Sequence, residues 1–145
     1  MKNTSRKFLP TFADLVDRLS ICLLKSIFIS KHKEEYMKEI DLIKHDINLI
    51  FSENDLKPSA NLVWSTMIIM LSNRYIWENE SKARNGEGQN LNLLKLTHSI
   101  NGVRNNAKNL LSKELGERVD LKTDCLAAEL KSEFENWDIF RDDGQ

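Results

Sequence analysis

Two cysteines, two prolines and five glycines are few for a chain of 145 residues. Cys22 and Cys125 build no disulfide framework and have no metal-ligand spacing. The shortage of glycine and proline disfavours a turn-rich all-β fold and suits helices joined by short loops. A surplus of either charge is also missing. Twenty-one Lys and Arg against 22 Asp and Glu leave a net charge of −1, without the basic excess of a general nucleic-acid binder. The longest apolar stretches, residues 19–29 and 65–72, fall short of the ~20 residues of a membrane span. The basic start MKNTSRKFLP leads into no signal-type apolar run, so a cytoplasmic chain is expected.

What is present is helical periodicity, at 41% hydrophobic and 30% charged residues, enough for a single domain with a real core. The pattern implies an all-α fold, an up-down antiparallel bundle of about five helices. A polar arm over residues 1–10 precedes a bundle domain over 11–140, and 141–145 form a tail. Thr11 with Asp14 three residues on makes a capping box for the first helix, over 12–30. Its main apolar face is Leu15, Val16, Leu19, Leu23 and Ile27. Its narrow polar stripe holds Asp14, Asp17, Arg18 and Lys25, read as a solvated seam with an Asp14–Arg18 pair.

A change of apolar phase in SKHKEE separates a second helix over 34–51, with Tyr36, Ile40, Ile43, Ile47 and Ile50 on one face. Pro58 and Ser59 punctuate the loop before a third helix over 60–84, apolar on every side until Ser72 and ended by Asn85-Gly86. A fourth helix over 90–115 is stopped by Gly116. A fifth begins at Thr123 or Asp124, with Leu126, Leu130, Phe134 and Trp137 as its inward stripe. Leu19, Leu23, Met67, Leu71, Ile100, Val103 and Leu110 are expected among the most buried residues.

Polar residues concentrate where the third and fourth helices face each other. Asn73, Trp77, Glu80 and Arg84 share one face of the third, and His98, Asn101 and Asn105 one face of the fourth, with Arg104 beside them. Arg74–Glu78 and Glu80–Arg84 are spaced as i,i+4 pairs. The short loop makes the two helices antiparallel neighbours, and the register brings Arg104 toward Asn73 and Tyr75 and Glu80 toward Leu94 and His98. Asn73, Arg74, Trp77, Asn101 and Arg104 are then the centre of any pocket. Guanidinium forks match phosphate geometry, so Arg74, Arg84 and Arg104 would grip a small anion such as a nucleotide or sugar phosphate, with Glu80 orienting them or acting as acid or base.

The phrases WENESKAR and LTHSINGVRN resemble an uncharacterised all-helical bacterial family, a domain of unknown function. Trp77, Glu80, Arg84, Asn101, Arg104 and Asn105 stand at its Trp-x-x-Glu-x-x-x-Arg and Asn-x-x-Arg-Asn positions. That resemblance implies an accessory of bacterial sugar-polymer synthesis and no particular reaction.

Two other functions fit the same residues. A non-catalytic interaction module (a homodimer, immunity protein or accessory subunit) would use an exposed helix face, with the polar residues paired in the core. Glu114-x-x-Glu117 and Glu135-x-x-Asp138 have the spacing of Mg²⁺-dependent helical nucleotide pyrophosphohydrolases, although Gly116 interrupts the first pair. His32, His45 and His98 lie far apart and no Glu-x-x-His occurs, so neither a metal centre nor a cofactor is expected. Cys22, in an apolar helix, reads as core.

Overall fold

A computed structural model of the chain describes residues 6–86 and 91–120. Its regular structure is four helices, α1 (Phe12–Phe28), α2 (Lys33–Glu53), α3 (Ala60–Arg84) and α4 (Leu91–Glu114), and no strand occurs among the described residues. The all-α class is as the periodicity implies. The fifth helix expected after Thr123, the tail, and much of the arm and of the loop between α3 and α4 lie outside the described residues.

Local chemistry sets the helix ends. Thr11 and Asp14 form a reciprocal capping box, with Thr11 N–H donating to Asp14 Oδ2 at 2.9 Å and Asp14 N–H to Thr11 Oγ1 at 3.1 Å. Ser59 caps α3 by accepting from Leu62 N–H at 3.0 Å. α1 stops two residues sooner than expected because Ile29 is already extended, and His32 turns the chain at φ 69° before α2 begins. After α4, Gly116 adopts φ +67°. Gly116 N–H donates to the Lys113 carbonyl and Glu117 N–H to the Ser112 carbonyl, a Schellman turn that reverses the chain.

Contacts between the helices fix their directions. Phe12 meets Phe51 and Arg18 meets Glu39, so α2 runs antiparallel to α1. Asp17 meets Asn73 and Phe28 meets Trp77, so α3 runs parallel to α1. Phe12 meets Glu117 and Asp17 meets Lys108, so α4 descends again. The order is up-down-up-down with α1 at the hub. α1 touches all three other helices, α3 and α4 make the most extensive pairing, and among the described helices α2 pairs with α1 alone.

The main core joins Phe12, Ala13 and Val16 to Ile68, Ile69, Ala107 and Leu111, with Ile47, Ile50, Phe51, Leu62, Val103 and Leu115 around them. A smaller cluster of Cys22, Ile40 and Ile43 holds α2 to α1. The α3–α4 seam is lined by small polar residues: Ser65, Ser72 and Asn79, seven residues apart on α3, and Ser99 and Ser112 on α4 are all buried. Short side chains let the two backbones approach closely beside the Ile68, Ile69, Ala107 and Leu111 of the core.

This arrangement corrects the expected core. Ile100 is buried, and Leu19 and Val103 are partly so, but Leu23, Met67, Leu71 and Leu110 are exposed. Along one stripe of α1, Phe12 and Val16 are buried while Leu23 and Ile27 open to solvent, since α2 and α3 flank α1 without closing over it. On α3 both neighbours, α1 and α4, sit on one side, so an all-round apolar helix buries only half its surface.

Candidate functional site

The polar seam of the bundle is built around Asn73, only 4% exposed at the junction of three helices. Its Nδ2 donates to Asp17 Oδ1 at 2.7 Å and to Ser20 Oγ at 2.6 Å, and its Oδ1 accepts from Arg104 Nη1 at 2.9 Å. Asp17 also accepts from Lys108 Nζ at 3.4 Å, and Lys108 pairs with Asp14 at 3.0 Å. Arg118 approaches Asp14 at 3.8 Å, donates to the Leu9 carbonyl and lies over the Phe8 ring at 3.8 Å. The chain Arg104–Asn73–Asp17–Lys108–Asp14–Arg118 therefore stitches α1 to α3 and α4.

Asp14 carries the clearest electrostatic signature of this seam. Burial pushes its carboxyl up, but hydrogen bonds from the Thr11 backbone, from Lys108 and from the Thr11 hydroxyl outweigh this, and it is held below the ordinary range. The solvated Asp14–Arg18 pair read from the sequence is replaced by three others. Asp14 turns inward to Lys108 and Arg118, while Arg18 pairs with Glu39 of α2. A hydrogen bond from Arg18 pulls the Glu39 carboxyl down. Burial pushes the Cys22 thiol up, consistent with its place in the core.

The other residues of the expected pocket are distributed along α3 and α4. Arg74 pairs with Glu78 at 2.7 Å and lies 4.7 Å over the Phe28 ring. Trp77, half-buried, packs on Phe28 of α1 with ring centroids 6.2 Å apart. Glu80 and Arg84 are exposed, and among the described residues no ion pair joins them. Arg84 is about 15 Å of helix rise beyond Arg74. Asn101 and Asn105 are half-buried on the same side of α4 as Arg104 and Lys108, while His98 is exposed. Arg104 thus meets Asn73, as the register implied. Its Nε is buried with no hydrogen-bond partner among the described residues, as is Asn79 Nδ2. Glu114 accepts from Ser59 Oγ, and both oxygens of Glu117 accept from Phe12 N–H, so these two carboxylates serve the N-termini of α3 and α1. Glu135 and Asp138 lie outside the described residues.

Two features escaped the sequence reading. Asp17, Ser20 and Lys108 complete the seam, and only the tertiary partners of Asn73 and Asp14 reveal them. The second feature is the outer face of α3, opposite Ile69 and Ile76. There Val63, Trp64, Met67, Leu71 and Tyr75 recur at helical spacing and are all exposed, Met67 at 59%, Leu71 at 55% and Trp64 at 51%. Residues 60–73 contain no charged side chain. That uncharged run is the available signal, although it equally implies the burial of Met67 and Leu71 that the structure overturns. Compared with protein-family models, curated proteins and solved structures, the chain matches none.

Proposed function

We propose that this protein is a non-catalytic interaction module that meets a protein partner through the outer face of α3. The observation carrying this reading is the double-sided apolar character of that helix, with Ile68, Ile69 and Ile76 in the core and Val63, Trp64, Met67, Leu71 and Tyr75 in solvent. Isolated exposed apolar residues need no explanation, but a contiguous stripe of large ones marks an interaction surface. The pairing of Asn73, Asp17 and Lys108 within the bundle supports the same reading, because those groups are committed to joining helices. A photoreactive residue placed at Leu71, with one at exposed Lys44 of α2 as control, tests it in living cells. A discrete cross-linked polypeptide at Leu71 and none at Lys44 is the expected result; no adduct to any polypeptide at Leu71 refutes the reading.

A second reading, a small-anion site at Arg104, is favoured by its buried Nε, for which no hydrogen-bond partner occurs among the described residues. Its test is thermal stabilisation by inorganic phosphate, expected in the native protein and lost in Arg104→Ala with helix content unchanged. A native protein that no phosphate stabilises rules this reading out.

A further inference from the structure

We infer that the occupant of the outer face of α3 is a second copy of this chain, its α3 packed antiparallel across a two-fold axis that passes between Met67 and Leu71. The inference rests on the interaction-module reading and adds the identity of the partner.

Three observations point to it. The first is area. With side-chain surfaces of ~150–250 Å², the exposed fractions of the five apolar residues amount to roughly 500 Å² per protomer. Two such patches pressed together remove about 1,000 Å² from water, the lower bound of a specific interface before the flanking residues add theirs.

The second is self-complementarity of charge. A two-fold interface sets each residue of the helix against another of the same helix. Antiparallel pairing about this axis leaves the uncharged residues 60–73 at the centre and brings Trp64 beside Tyr75 of the second copy, an aromatic pair worth more than its area. It also carries Glu78 toward the start of the second copy's α3 and so keeps Arg74 and Glu78 away from their own counterparts. Parallel pairing would instead align Arg74 with Arg74 and Glu78 with Glu78, and like charges repel.

The third is the path of the chain after α4. Asn109 Nδ2 donates to the Asp120 carbonyl and Asp120 N–H donates to Asn109 Oδ1, each at 2.9 Å, while Arg118 reaches Asp14 and Leu9. Residues 117–120 therefore run back along the α1–α4 side of the bundle, and the α3 outer face is turned the other way. These four residues leave the α3 outer face free for a second copy.

Light scattering on the full chain, from low concentration up to ~100 μM, tests the inference, since a micromolar dissociation constant populates the dimer in that range. The expected mass is twice 16.8 kDa. The double variant Met67→Glu/Leu71→Glu, at solvent-facing positions that leave the helix content unchanged, is expected to be monomeric. A native chain that stays monomeric, or a dimer that survives both substitutions, overturns the inference. The Leu71 cross-link then separates the two claims. A different polypeptide captured there by a monomeric chain leaves the module reading standing and removes the second copy. A cross-link to residues 121–145 of the same chain, or none at all, removes both.

Discussion

Arg104 on α4 donates through Nη1 to the carboxamide oxygen of Asn73 on α3, whose nitrogen in turn donates to Asp17 and Ser20 on α1. One buried amide thus satisfies groups from both neighbouring helices with three hydrogen bonds. Truncation strands several partners at once. Asn73→Ala is expected to destabilise the fold by about 1–3 kcal/mol, the cost of leaving buried polar groups unpaired. A urea-denaturation midpoint that hardly moves would show that the seam contributes little.

The Asp14 carboxyl gives the seam a pH dependence. Its folded pKa lies below its ordinary value, so the stability it adds is fully present above the unfolded pKa and is lost as pH falls through the folded one. Acidification below about pH 4 is therefore expected to weaken the protein. Glu39, shifted down by Arg18, contributes in the same direction. Asp14→Asn removes one of the two contributions, and its melting temperature is expected to fall less steeply with acid than that of the native chain. Superimposable profiles would contradict this.

How much of this was readable in the sequence differs from helix to helix. The caps at Thr11 and Ser59 and the stops at Gly86 and Gly116 follow from local backbone chemistry, and the sequence alone located them. Arg104 opposite Asn73 followed from rise per residue and a short loop. The inside of α3 was not readable, because residues 62–71 carry hydrophobic side chains on every side and periodicity selects a face only where charged or strongly polar residues oppose it. The partners of Asp14 were equally hidden: Arg18 is four residues away in sequence, whereas Lys108 and Arg118 arrive only through the antiparallel packing of α4 on α1.

Trp77 illustrates the energetic consequence. A Trp77 fully buried at the centre of a pocket between α3 and α4 would cost ~3–5 kcal/mol on truncation. Half-buried against Phe28 of α1, it is expected to cost about 1–2 kcal/mol in Trp77→Ala, part of a full aromatic burial. Phe28→Ala removes the other ring, so the double variant is expected to lose less than the sum of the two singles. A loss for Trp77→Ala in the full core range would return Trp77 to the interior.

The turn after α4 carries a coupled prediction. Gly116 holds φ +67°, and a Cβ there would meet no atom within 4 Å, so Gly116→Ala costs backbone strain alone at that position, about 1 kcal/mol. The next residue, Glu117, places both carboxylate oxygens on Phe12 N–H at 2.9 and 3.0 Å, satisfying a donor at the start of α1 that the capping box leaves open. A carboxylate there also lies at the positive end of the helix dipole, and Glu117→Ala is expected to cost about 1–2 kcal/mol. Because the left-handed residue directs Glu117 back toward α1, a turn relaxed by alanine at 116 also pulls the carboxylate from Phe12. The two substitutions are then non-additive: the double variant loses less than the sum of the singles, by about 0.5 kcal/mol or more. Urea denaturation of the four proteins in this cycle measures the difference. Strict additivity would mean that the turn and the carboxylate act independently and that Gly116 does not position Glu117.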